Sequence, residues 1–244
     1  MEEIRPGVYR PDWSVVTKPA ARSALIGRGN IQSGFAEKWG RRLPPKEDLA
    51  WRIVLEAFAS SGRPPSVLQI AEKIGVPDSE ARTFLVDLRT HDLLGLDESA
   101  TKITYAYPFA NTPTEHRVGL DGRCLYAVCA IDALGVAGML RSDTRIESAC
   151  RGCRGRIEVG TARNGKSLGW YRPAEAVVWY DLAYTQAAAT SCCTVIAFFC
   201  SDPHLDDWLL AQNARRTGYR LTLDEGLEVG RALFEPVLAA TSLL

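Results

Sequence analysis

The chain has 244 residues, 46% of them hydrophobic and 24% charged, with Lys+Arg and Asp+Glu balanced at 29 each. That is enough chain for a sizeable core in one large domain or two modest ones, and the balance supplies no global field toward nucleic acid or an anionic membrane. No apolar run approaches the roughly 18–20 residues of a membrane span and no signal-type segment follows Met1, so a soluble, cytoplasmic protein is expected.

Residues 1–45 hold five prolines (6, 11, 19, 44 and 45) and 8 Lys/Arg against 4 Asp/Glu. They read as an irregular arm, lying on the body or partly disordered, with one short helix over Ser33–Trp39 and no recognisable chemistry.

Residues 46–110 form a distinct unit. Leu49, Ile53, Val54, Ala57 and Phe58 fall at helical spacing between Glu47 and Ser60, and Gly62-Arg-Pro-Pro65 stops that helix. Ser66 caps a second helix through Ile74, Gly75 ends it, and Asp78 opens a third that runs to about His91. The alternation in Lys102-Ile-Thr-Tyr-Ala-Tyr107 predicts a strand after a turn. Three helices and a hairpin make a winged-helix pattern, which is commonly a DNA reader. Yet this unit carries 7 Lys/Arg against 10 Asp/Glu, and its third helix holds Asp78, Glu80 and Asp87. A groove-reading helix neutralises phosphates, so a structural cap is expected here and no nucleic-acid partner.

Residues 111–244 predict an α+β domain, a mixed sheet with helices. Leu125–Leu140 reads as one central apolar helix, and Thr144–Ser148, Arg156–Val159 and Ala176–Tyr180 as strands. Thr194–Cys200 is β-branched and aromatic, so a buried strand is expected. His204–Gln212 and Leu223–Phe234 predict helices, the second with Asp224 and Glu225 in its first turn.

Seven cysteines (124, 129, 150, 153, 192, 193 and 200) stand out. An odd number in a reducing compartment points to thiol or metal chemistry rather than disulfides. Cys124 and Cys200 fit as small buried hydrophobes. Cys150-x-x-Cys153 is half of a tetrahedral zinc site and lacks a second such pair in sequence. Nothing local supports a Cys–His nucleophile arrangement with His91, His116 or His204, and there is no P-loop or dinucleotide fingerprint.

The segment Leu125-Tyr-Ala-Val-Cys129-Ala-Ile-Asp132 places a thiol and a carboxylate three residues apart, on one face of a helix. An acid beside a thiol in apolar surroundings is costly unless it works. Two thiolates and a carboxylate suit a soft metal. If Cys192-Cys193 lies in a strand, its two side chains point to opposite faces and only one can join Cys129.

The segment from Leu125 to Leu134 resembles the first active-site motif of the alkylmercury lyases, and Ser191-Cys192-Cys193-Thr-Val-Ile-Ala-Phe198-Phe199-Cys-Ser201 is similar to their second. Pro203, Asp207-Trp208 and the C-terminal helix continue the likeness, as does Arg145-Ile-Glu-Ser-Ala-Cys150. It covers roughly residues 46–240, including the family's winged-helix-like N-terminal unit. The resemblance implies protonolysis of a carbon–mercury bond to hydrocarbon and Hg(II). It implies Cys129 and Cys192 as mercury ligands and Asp132 as proton shuttle, with Cys150 structural. Cys193, Cys150 and Cys153 stand as accessory thiols. No cofactor is required, and cellular thiols or a mercuric reductase would take the Hg(II), in a mercury-detoxifying role. Cys153, Cys124 and Cys200 depart from the family pattern, as does Val128. Two other readings stay open: a non-catalytic thiol protein for copper, zinc or mercury, and a winged-helix metal-responsive regulator.

Overall fold

The computed structural model describes residues 12–31 and 43–238. Seven helices and eleven strands are defined among them: α1 Pro19–Ile31, α2 Pro45–Ser61, α3 Val67–Ile74, α4 Asp78–Thr90, β1 Leu94–Leu96, β2 Ile103–Ala106, β3 Phe109–Ala110, β4 Arg117–Leu120, β5 Arg123–Ala127, α5 Ala130–Leu140, β6 Arg145–Ala149, β7 Arg156–Ala162, β8 Ser167–Arg172, β9 Val177–Asp181, β10 Ala197–Phe199, α6 Asp202–Leu210, β11 Gly218–Thr222 and α7 Leu223–Phe234. The α+β class with its N-terminal three-helix unit is what the sequence pattern predicts. No helix among the described residues is long and apolar enough to cross a membrane.

The helix ends of the N-terminal unit follow local chemistry. Ser66 and Gln69 form a reciprocal capping box at the start of α3, and Gly75 ends it in the left-handed conformation with φ 76°. Gly62 closes α2 in the same way. The wing β1–β2 is antiparallel, with Leu94 opposite Ala106. That wing is also the edge of one antiparallel eight-stranded sheet, ordered β1-β2-β3-β5-β4-β6-β7-β8. The helical unit and the downstream domain are therefore joined through a continuous ladder. A second sheet, β10-β9-β11, has β9 at its centre with all five residues buried, as expected of a strand covered on both faces.

Three expectations are corrected. Residues 12–31 of the N-terminal arm are not irregular: α1 packs on α7, and buried Glu228 accepts the Thr17 amide at 2.9 Å, the Thr17 hydroxyl at 2.5 Å and the Lys18 amide at 2.8 Å. Pro19 is tolerated because it is the first helical residue, where an amide N–H has no helical partner. The short helix expected over Ser33–Trp39 lies outside the described residues. The apolar stretch Leu125–Leu140 is a strand and a helix in succession, since β5 runs to Ala127 and α5 begins at Ala130. Lastly, the strand expected over Thr194–Cys200 is short, Ala197–Phe199, and Cys192–Thr194 is a 3-10 turn instead.

Helix α5 is buried from Ala130 to Met139, so it has no polar face to show solvent. It crosses α7 at a backbone contact that only glycine permits. A Cβ on Gly230 would stand 2.8 Å from the Gly135 nitrogen and 2.9 Å from the Ile131 carbonyl oxygen, neither of which can swing away. Gly230→Val is expected to lower the denaturant midpoint by the equivalent of about 3 kcal/mol. Gly29→Ala, on the exposed side of α1 with nothing within 4 Å of its Cβ, is expected to be neutral or to stabilise by up to about 1 kcal/mol. Urea unfolding of the two variants checks both.

Candidate active site at the start of the buried helix

Strand β5 delivers Cys129 to the N-cap of α5 in extended conformation, φ −146° and ψ −179°. Asp132 is then the third helical residue. N-cap and third-residue side chains converge at a helix start, as in a capping box. Cys129 and Asp132 thus meet as expected, although Cys129 itself is outside the helix. The Ala130 amide donates to the Ile196 carbonyl at 3.3 Å, which ties this helix start to the segment carrying the cysteine pair.

That segment is a tight turn. The Val195 and Ile196 amides both return to the Cys192 carbonyl, at 3.0 and 2.9 Å. With about three residues per turn, neighbouring side chains diverge, and the two cysteines take different surroundings. The Cys193 sulfur, the Cys129 sulfur and an Asp132 carboxylate oxygen all lie within 4.8 Å of one another, every residue buried. Cys192, expected from the Ser-Cys-Cys motif as the second ligand, lies beside Cys193 and is engaged by Arg28. Its sulfur accepts a hydrogen bond from Arg28 Nη1 at 3.0 Å.

Arg28 comes from α1, the segment expected to carry no chemistry. It is buried, its Nε donates to the Tyr180 hydroxyl and its Nη2 to the Asp181 carbonyl at 2.8 Å, and its guanidinium lies 4.4 Å from the centre of the Tyr180 ring. One signal for it was present in the sequence: Ala21, Ala24, Leu25 and Arg28 share one helical stripe, so an arginine sits where an apolar residue is due.

Burial and neighbouring charge separate the groups. Burial is the main cause that raises the Asp132 carboxyl to about 7, and contact with Cys129 and the Arg28 charge offset it in part. Asp132 Oδ2 is buried without a hydrogen-bond partner. Burial also pushes the Cys129 thiol up to about 11. Cys193 is held well above the ordinary thiol value, first by its hydrogen bonding to Cys129 and Cys192 and then by burial. Cys192 goes the other way, to about 6, because Cys193 donates to it and Arg28 sits beside it. The resting arrangement is two protonated thiols, a thiolate held by arginine, and a carboxyl poised near neutrality.

A cavity of about 20 Å³ opens onto Cys129, Asp132 and Cys193, room for roughly one water-sized group. Ile131, Ile196, Leu233 and Phe234 supply its apolar wall. The helical unit shapes the approach. Buried Asp92 accepts from the Tyr107 hydroxyl at 3.2 Å, the Tyr184 hydroxyl at 3.1 Å and the Ala188 amide at 2.9 Å, while the Ala189 amide donates to the Tyr107 hydroxyl at 2.6 Å. These contacts place the turn that precedes Cys192.

The remaining cysteines are elsewhere. Cys124, expected as a buried filler, is exposed at the start of β5. Cys150 and Cys153 sit beyond β6, in a separate cluster with Cys200 and His204.

Asp132 carries a stability signature. Its folded pKa of about 7 lies above the ordinary 3.8, so between those values the folded state binds more protons and stability falls as pH rises, by at most about 1.4 kcal/mol per unit. Asp132→Asn is expected to abolish this slope, raising the melting temperature over wild type at pH 8 more than at pH 5. An equal difference at both would sink the assignment of a raised carboxyl.

Comparison with known proteins follows the same lines. The family model for alkylmercury lyase matches residues 109–235, and a model of the IclR helix-turn-helix domain matches residues 54–98. An alkylmercury lyase of Staphylococcus epidermidis is 29% identical over 184 residues, covering 75% of this chain and 80% of that protein. One from Bacillus cereus is 25% identical over 190 residues, covering 77% and 82%. A solved structure, the mercury-bound form of MerB2, shares the fold at 22% identity with a TM-score of 0.68, over 90% of this chain and all of that one. With a catalytic-domain match across half its length, laid over the segment that brings Cys129, Asp132 and Cys193 together, this chain belongs to the alkylmercury lyase family.

Proposed function

We propose that the chain cleaves carbon–mercury bonds in organomercurials by protonolysis, with Cys129 and Cys193 as mercury ligands and Asp132 as the proton carrier. One observation carries the residue assignment: two buried sulfurs and a carboxylate within 4.8 Å of one another, with the second carboxylate oxygen left unpartnered. A protein that only stored a soft metal would have no use for a carboxyl group raised toward neutrality beside it.

The Asp132 carboxylate takes the Cys129 proton, and the thiolate displaces the thiolate or halide that accompanies the organomercury cation. Cys193 adds to the same mercury, and its proton leaves with the displaced anion. Two sulfur ligands load electron density onto mercury and make its bound carbon basic. Asp132, now a carboxylic acid, gives that carbon its proton. The carbon–mercury electron pair becomes the new C–H bond, hydrocarbon departs, and Hg(II) stays on the two thiolates while Asp132 returns to carboxylate. One group thus serves as base and then acid, which its pKa near 7 suits. The apolar wall keeps water from competing for the proton, and it must part to admit an organic group larger than the cavity of about 20 Å³.

Cys192 has a supporting part in this account. Held as thiolate by Arg28 and hydrogen-bonded to Cys193, it can relay the Cys193 proton. No cofactor is required, because mercury is substrate and product. Exchange with cellular thiols removes Hg(II), and a mercuric reductase would consume it. The helical unit acts as a scaffold through Asp92, and the acidic balance of α4 gives it no surface for DNA phosphates.

With excess thiol, the protein is expected to release methane from methylmercury or benzene from phenylmercury, measured in the headspace. Cys129→Ser and Cys193→Ser are expected to abolish release, and Cys192→Ser to slow it on the order of 10²-fold. Full activity in Cys193→Ser together with a dead Cys192→Ser would reverse the ligand assignment.

A further inference from the structure

Away from the active site, four side chains converge that the proposed reaction does not use. Cys150 and Cys153 lie in the turn between β6 and β7, and Cys200 and His204 flank and begin α6. One donor atom from each lies within 4.8 Å of every other. The Cys153 and Cys200 sulfurs are 3.9 Å apart, and Cys150 Sγ is 3.8 Å from His204 Nδ1. A tetrahedral ion with metal–sulfur distances of about 2.3 Å has ligand–ligand edges of about 3.8 Å. We propose that Cys150, Cys153, Cys200 and His204 form a closed, structural zinc site.

The surrounding backbone is built for thiolates. Cys150 Sγ accepts the amides of Cys153 at 3.5 Å and Cys200 at 3.3 Å, and Cys153 Sγ accepts the Gly155 amide at 3.4 Å. Such N–H donors orient sulfur ligands and stabilise their negative charge. Two glycines let the loop wrap this closely. A Cβ at Gly155 would stand 3.1 Å from the Cys153 sulfur and 3.4 Å from that of Cys200, and one at Gly152 would stand 2.9 Å from the His204 carbonyl oxygen. Three thiolates and an imidazole, with no open position, are the donor set of structural zinc. The second half of the motif, Cys200-x-x-x-His204, comes from a distant part of the chain, so Cys150-x-x-Cys153 looks incomplete in sequence.

The site has a task in the fold. Arg151, inside the knuckle, donates its amide to the Phe198 carbonyl at 3.0 Å and its Nη1 to the Thr194 carbonyl at 2.8 Å. Zinc would clamp the β6–β7 turn onto the segment that follows Cys193 and so fix the position of that sulfur without touching it.

The test uses the full chain purified under reducing conditions with no added metal. Metal content is measured by mass spectrometry, and metal-free protein is titrated with zinc alone and then with cobalt(II) alone. One zinc per chain is expected in wild type and in the Cys129→Ser/Cys193→Ser double variant, with the intense visible bands of tetrahedral thiolate-bound cobalt. Cys153→Ser, at an exposed position, and His204→Ala are expected to weaken zinc binding at least tenfold while keeping the wild-type circular dichroism. Copper in place of zinc, zinc that is lost with Cys129 and Cys193 instead, a Cys153–Cys200 disulfide in the reduced protein, or no zinc uptake at all would each overturn the proposal.

Discussion

The site turns on one costly placement: a carboxyl group at the start of a helix that has no polar face. Asp132 is 4% exposed and one of its oxygens has no partner. Burying such a group unpaired opposes folding, and the rest of the core offsets it. The energetic cost is also what makes the group useful. In water it would be a weak base and would hold no proton at neutral pH. In the proposed reaction it takes a proton from a neighbouring thiol and gives it up to carbon.

Everything around Asp132 keeps that carboxyl dry and its two thiols aligned. The glycine crossing of α5 and α7 lets two helices approach closely enough to exclude water from beneath the site. Arg28 neutralises Cys192, so three sulfurs can crowd together with only one carrying charge. Asp92, at the end of the helical unit, gathers Tyr107, Tyr184 and the Ala188 amide, which sets the turn that aims Cys193. The winged-helix-like unit and the N-terminal helix thus both contact the candidate site, the first through Asp92 and the second through Arg28.

How much of this was legible in the sequence depends on the range of each interaction. Local signals served well where local physics decides: Ser66 with Gln69, Gly75, and the amphipathic Leu223–Phe234 all form as their patterns predict. The partnership of Cys129 and Asp132 was visible from their three-residue spacing. The element carrying it was not, because an apolar run reads the same as a strand or as a buried helix. The different surroundings of Cys192 and Cys193 were beyond reach. The β-branched and aromatic run after them promised a strand, and the Cys192 carbonyl instead closes a turn that rotates the second sulfur inward. Arg28 and the Cys200–His204 half of the knuckle were missed for a different reason. Their partners lie 164 residues away in one case and about 50 in the other, and no spacing rule spans such gaps.

In the proposed reaction Asp132 delivers the proton only after both thiols have captured mercury. Asp132→Asn separates these events, since an amide keeps the shape of the side chain but cannot donate that proton. Mixed with one equivalent of phenylmercury and no other thiol, the variant should lose its two active-site thiols to titration, hold mercury with the phenyl group still attached in native mass spectrometry, and release no benzene. Benzene released from Asp132→Asn at the wild-type single-turnover rate would contradict the account.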